Sequence, residues 1–188
     1  MIYPITLFGA PILRKVAEPV NMPVGELQEF AANMFETMNK AEGVGLAAPQ
    51  VGRSWRVFVI DTAEVADQYK EEPDLKYFRR VFVNPEILEH SSETCVSNEG
   101  CLSIPDIHED VTRPKSIKIK YMDENLQEHI EDLTGFKARV VQHEYDHLEG
   151  KLHVDYLNIL KKKLLKSKLS AMARGKVKTK YMVAAPGK

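Results

Sequence analysis

The chain has 188 residues, 44% hydrophobic and 28% charged, with a formal charge of −1. That length fits one domain with a single substantial core, and the composition is that of an ordinary soluble globular protein, not of a disordered or fibrous chain. No apolar run approaches the roughly 18–20 residues needed to cross a bilayer, so no membrane is expected as a partner; nor is DNA.

In chain order, Met1-Ile-Tyr-Pro-Ile-Thr lacks the basic start and long apolar stretch of a secretory signal. No Asn-x-Ser/Thr sequon follows, and the expected location is cytoplasmic. Glu26 to Ala41 predicts a helix, with Phe30, Met34 and Met38 at i, i+4 and i+8. Gly43-Val44-Gly45-Leu-Ala-Ala-Pro-Gln50 comes next. Its two glycines and two alanines leave the backbone bare enough for a ligand to approach closely, and Gln50 adds an amide donor. By composition alone the block equally suits a helix-ending turn.

Arg56–Ile60 and Arg80–Val83 are short β-branched runs that predict strands, the second ended by Asn84-Pro85. Ala63 to Phe78, between them, is acidic and weakly patterned and reads as a surface loop. Lys115–Met122 places Ile117, Ile119 and Tyr121 on alternate positions of a half-buried strand, and Leu126 to Leu133 pairs back across an Asp123-Glu-Asn turn. From Phe136 the pattern turns helical, with Thr134 as N-cap and Gly150 just past the end. Ala138, Val141, Tyr145 and Leu148 form one stripe, and Phe136, Val140, His143 and His147 a second, so this helix should be buried. Asn158 to Met172 predicts a lysine-rich amphipathic helix. After Asp155 there is no acid, while ten of the 26 basic residues lie there, against 27 acids and 16 bases up to and including it. An acidic body with a basic tail suggests a polyanionic partner for the tail.

The buried helix carries His143-Glu144-Tyr145-Asp146-His147. Residues i and i+4 share a helix face, so both imidazoles can reach one divalent ion, and Glu144 stands aside where it can take a proton from water. The third ligand has two candidates. Reading on to Gly150 and His153 matches the extended zinc motif of metzincin proteases, in which His143, His147 and His153 would serve a secreted endopeptidase. The other is Cys101, in Glu99-Gly100-Cys101-Leu102-Ser103, whose thiolate with two histidines leaves one metal position open. A Cys95–Cys101 disulfide is not expected in a cytoplasmic chain.

Taken together, Gly43–Gln50, Glu99–Ser103 and Gln142–His147 resemble, in order, the three motifs of peptide deformylases, and Leu7–Arg14 resembles that family's N-terminus. The likeness spans about residues 5 to 160 and implies Cys101, not His153, as third ligand. It implies an α+β fold of antiparallel sheets wrapped around the metal helix, with N- and C-terminal helices. Residues 1–160 would be the catalytic domain and 161–188 a basic extension, part helix and part flexible tail. The expected cofactor is one divalent ion per chain, ferrous iron, with zinc, nickel or cobalt as substitutes. The substrate would be an N-formyl-methionyl nascent peptide, lying as an added strand in a cleft of Gly43, Val44, Gly45, Glu99 and Gly100. Gln50 and the Leu102 N–H would stabilise the oxygen that gains charge. Arg139 and Val140 would wall the methionine side chain, the arginine by snorkelling outward. His108 stands where many deformylases have an arginine, and His90 and His129 read as surface residues. The basic tail would meet the ribosome.

Overall fold

The computed structural model describes residues 1–184. Among the described residues there are seven strands and three α-helices, with five of the strands in one antiparallel sheet. The strands are β1 (Gly45–Ala47), β2 (Val57–Asp61), β3 (Arg79–His90), β4 (Thr94–Cys101), β5 (Ile104–Pro114), β6 (Ser116–Met122) and β7 (Glu128–Thr134). The sheet runs β1-β2-β3-β6-β7, and β4 and β5 make a separate hairpin. The helices are α1 (Val24–Lys40), α2 (Gly135–Leu148) and α3 (Ile159–Ala173). No helix among the described residues is long and apolar enough to cross a membrane.

The unbroken Val-Phe-Val-Ile run of β2 has a direct cause. Alternate side chains leave a strand on opposite faces, and both faces here are covered. Val57 and Val59 pack with Leu27, Phe30, Met34 and Met38 of α1. Phe58 and Ile60 pack with Ala138, Val141 and Leu148 of α2 and with Ile117 and Ile119. α2 therefore lies inside the molecule, as its two stripes require.

The structure departs from the sequence reading in four places. Strand β3 does not end at Asn84-Pro85 but continues to His90 through a register shift between Val83 and Glu86. Asn84 takes φ +48 there, and its side chain binds both the N–H and C=O of Val20, at 2.7 and 2.9 Å. The proline thus sits in a bulge, where a strand tolerates it. Ala63–Phe78 is more than a surface loop: it holds two short 3₁₀ turns and buries Leu75 and Phe78. Thr134 stands at the N-cap of α2 as expected, but its side chain makes no cap bond; Glu72 from this segment supplies it, its carboxylate accepting from the Phe136 N–H at 3.1 and 3.0 Å. The β4–β5 hairpin was not foreseen, because β4 has only Glu99 buried and so shows no apolar alternation.

The C-terminal end of α2 follows expectation. Gly150 takes φ +68, Lys151 N–H donates to Asp146 C=O at 2.8 Å and Gly150 N–H to His147 C=O at 3.4 Å. This is a Schellman close, which favours glycine at that position. Beyond it, α3 rests Leu165, Leu169 and Met172 on Leu7, Ile104, Ile107 and Leu152, while Ile159, Leu160 and Leu164 face solvent. The chain then returns to the N-terminal segment, where Ile5 pairs with Val183. The last residues of the expected flexible tail, 185–188, lie outside the described residues.

Candidate metal centre and active site

α2 delivers His143 and His147 on one face, and the end of β4 brings Cys101 to them. One ligand atom from each lies within 4.8 Å of the others, with Cys101 Sγ 3.4 Å from His147 Nε2. Both cysteines are free. His143 Nδ1 is taken up by Glu99 Oε2 at 2.9 Å, which turns the other ring nitrogen toward the thiol. His147 Nδ1 and Glu144 Oε2 are buried with no hydrogen-bond partner among the described residues. A soft sulfur and two imidazoles converging on one point is a donor set that fits a zinc- or iron-like divalent ion. His153 is not in this group. It is buried beside His143, ring centroids 5.9 Å apart, and neither of its nitrogens finds a partner among the described residues.

The orientation of His143 rests on a buried ion network. Arg113 grips Glu99 with two hydrogen bonds, at 2.7 and 2.9 Å, and reaches Asp146 at 2.7 Å. Arg139 donates to the same Glu99 at 2.8 Å and to the carbonyls of Val111 and Cys95. Arg139 therefore does not snorkel: it is 6% exposed, and its head turns inward because Glu99 offers it a counter-charge there. A carboxylate behind a ligand histidine fixes the ring and its tautomer. Burial alone would raise the Glu99 pKa, but the bonds from His143 and Arg113 hold it well below the usual carboxylate range. Glu144 has no such partner, and burial pushes its carboxyl up to about 7. Neighbouring carboxylates can thus hold different protonation states near neutrality.

The glycine block closes the opposite side. Ala47 N–H donates to Gln50 Oε1 at 2.8 Å, leaving Gln50 Nε2 to reach Ser103 Oγ at 3.1 Å and Cys101 Sγ at 3.6 Å. A side chain at position 45 would collide with the Glu144 carboxylate, and one at position 100 would meet His108 Nε2 at 2.6 Å. The small residues are needed because the Glu144 and His108 side chains pass over them. Between β1 and the β4–β5 turn opens a cleft of about 590 Å³. Gly43, Val44, Gly45, Gln50, Glu99, Gly100, Cys101, Leu102, Arg139, Val140, His143 and Glu144 all line it, and His147 is not among its lining residues. The cleft also takes His108, Tyr69, Phe136 and Tyr181. Of the residues not foreseen, Arg113 carries no motif of its own, and only its pairing with Glu99 across the β4–β5 hairpin reveals it.

A Cys-His-His centre on a buried helix, with a poised carboxyl beside it and an open strand edge in front, defines a metal-dependent hydrolase. The sequence profile described as "Polypeptide deformylase" matches residues 2–163, and the chain belongs to that family. A peptide deformylase of Christiangramia forsetii is 47% identical over 190 residues, 99% of this chain and 97% of that protein. One of Cytophaga hutchinsonii is 46% identical over 99% and 98%. The crystal structure of peptide deformylase from Thermotoga maritima superposes with a TM-score of 0.75 at 43% identity, over 84% of this chain and 99% of that one. A Legionella pneumophila peptide deformylase structure gives 0.80 at 38% identity, over 93% and 96%. The chain is accordingly a deformylase, a hydrolase that removes the N-formyl group from new polypeptides. The endopeptidase alternative built on His153 falls away.

Proposed function

We propose that Cys101, His143 and His147 hold one divalent ion and that Glu144 moves the protons of formyl hydrolysis. Such an ion supplies Lewis-acid chemistry, lowering the pKa of water and drawing charge from a carbonyl. Glu144 receives the proton of the attacking water and passes it to the departing methionine amine. Gln50 Nε2, held by the Ala47 contact, and the Leu102 N–H donate to the formyl oxygen as it becomes negative. β1 is the edge strand of its sheet, so a peptide added there gains main-chain bonds at no cost to existing ones. Gly43, Val44, Gly45, Glu99 and Gly100 line its path, and Val140 with the stem of Arg139 walls the methionine. The products are formate and a peptide with a free amine.

The observation that carries this reading is the buried Glu144 carboxyl, its Oε2 without a partner among the described residues, beside a Cys-His-His cluster. The test is formate release from a formyl-Met peptide, run beside metal analysis of anaerobically purified protein. Ferrous iron is our assignment, with zinc, nickel or cobalt as substitutes. Activity confined to protein holding a metal outside that set would overturn it.

We further propose a cytoplasmic location, with the metal-holding and proton-moving groups within residues 1–160 and the basic 161–188 extension contacting the ribosome. Lys163, Lys166 and Lys168 are exposed on α3, where phosphates could neutralise them at a cost in affinity as salt rises. Charge reversal of the three should weaken co-sedimentation with ribosomes at low salt and leave peptide turnover intact. Undiminished co-sedimentation would sink the ribosome contact.

A further inference from the structure

One wall of the cleft comes from outside the motifs. Tyr181 lies past α3, beyond residue 163 where the family profile stops. The chain reaches it by turning back after Gly175, and backbone bonds tie the returning segment down. Ile5 N–H donates to Met182 C=O and Ala184 N–H to Ile5 C=O, each at 2.9 Å. Tyr181 packs with Leu102 against the core on the α1 side and lines the cleft. Its hydroxyl donates to the Leu102 carbonyl at 2.7 Å.

That carbonyl belongs to the residue whose N–H is assigned to the charged oxygen. The turn Leu102-Ser103 is held at three points. Gln50 Nε2 donates to Ser103 Oγ, Phe8 N–H donates to Ser103 C=O at 2.8 Å, and Tyr181 holds Leu102 itself. Without Tyr181, no described hydrogen bond fixes the Leu102 carbonyl and with it the residue's ψ. Oxyanion donors work by being in place before charge develops, so slack at Leu102 should appear in the chemical step. Burial, with Cys101 and Asp106 nearby, pushes the Tyr181 pKa up to about 12, and the phenol stays a donor at working pH.

We infer that Tyr181 is a positioning residue for deformylation: its hydroxyl locks the Leu102 turn, and its ring closes the cleft beside it. The inference rests on the deformylase reading. The test uses full-length, metal-loaded wild type, Tyr181→Phe and Tyr181→Ala, with kcat, KM, metal content and Tm measured on a formyl-Met tripeptide. Tyr181→Phe should lower kcat about threefold to tenfold, the scale of one neutral hydrogen bond, with KM and metal content unchanged. Tyr181→Ala should add a rise in KM, since it also removes the wall; if it fails to fold, the phenylalanine variant decides alone. A kcat in Tyr181→Phe within twofold of wild type overturns the inference, as does a kcat loss matched by loss of metal. A wild type that releases no formate would instead remove the deformylase reading beneath it.

Discussion

α2 and α3 are nearly equal in length, 14 and 15 residues, and use polar side chains in opposite ways. On α2, Arg139, Gln142, Glu144, Asp146 and His147 are all buried; on α3, Met172 alone is buried and the lysines stand in or near water. Inside the protein each polar group must find a partner or carry its desolvation cost. Arg139 and Asp146 find partners and become scaffold, while Glu144 and His147 keep atoms with no partner among the described residues, the groups to which we assign the chemistry. On α3, water and salt screen each charge, so no lysine there is forced into a role.

The comparison breaks if α2 tolerates changes as α3 does. Cys101→Ala should lose both bound metal and formate release, because two imidazoles alone leave the centre a ligand short. Retention of metal by that variant, with loss in His153→Phe, would return the assignment to a three-histidine site. Glu144→Gln should keep the metal and lower turnover by roughly 10²–10⁴, the usual worth of a positioned proton carrier. Near wild-type turnover would remove Glu144 from the mechanism.

Arg113→Met should destabilise the fold by about 3–5 kcal/mol in urea titration, since it leaves the buried Glu99 and Asp146 charges short of their main partner. Removing one lysine from α3, as in Lys168→Met, should stay within about 0.5 kcal/mol. Equal losses for the two would erase the contrast between the helices.

His153 sharpens the same contrast through pH. Burial first, and then the charge of His143, push its pKa down to about 4, against about 6.5 when unfolded. Between those values the unfolded chain binds more protons than the native one, so stability is full above about 6.5 and falls as pH drops toward 4. His153→Phe should flatten that limb by up to about 3 kcal/mol at its acid end, with metal and activity kept. A limb of unchanged slope would show that His153 is not its source. The smallest effect is expected at Leu164, 72% exposed on α3, where Leu164→Ser should move Tm by no more than a degree or two.

Much of the site was legible because its signals are local. The i, i+4 histidines, the two stripes of α2, Gly150 at its close and the bare Gly43–Ala48 backbone each follow from rules that act within a few residues. The β2 strand was legible for the same reason, and its burial on both faces explains a run without alternation. Illegible were features with no local trace: β4, whose exposed face hides its strand character, and the bulge that lets β3 pass Pro85. The Ala63–Phe78 segment misled because its acidity reads as solvation, although one of its acids caps α2 from 64 residues away.

By itself, then, the sequence determined the helix, the paired ligands and the carboxylate between them, because helical periodicity is a property of neighbouring residues. Its motifs, read as a family likeness, also pointed to Cys101. Only the tertiary structure brought Cys101 against His147 across 46 residues, locked Glu99 between two arginines, and set Tyr181 on Leu102 across 79. Contacts at such separations are created when the sheet closes over α2 and the C-terminal segment docks on Ile5. Packing and the need to satisfy buried charge select them, and neither leaves a period in the chain.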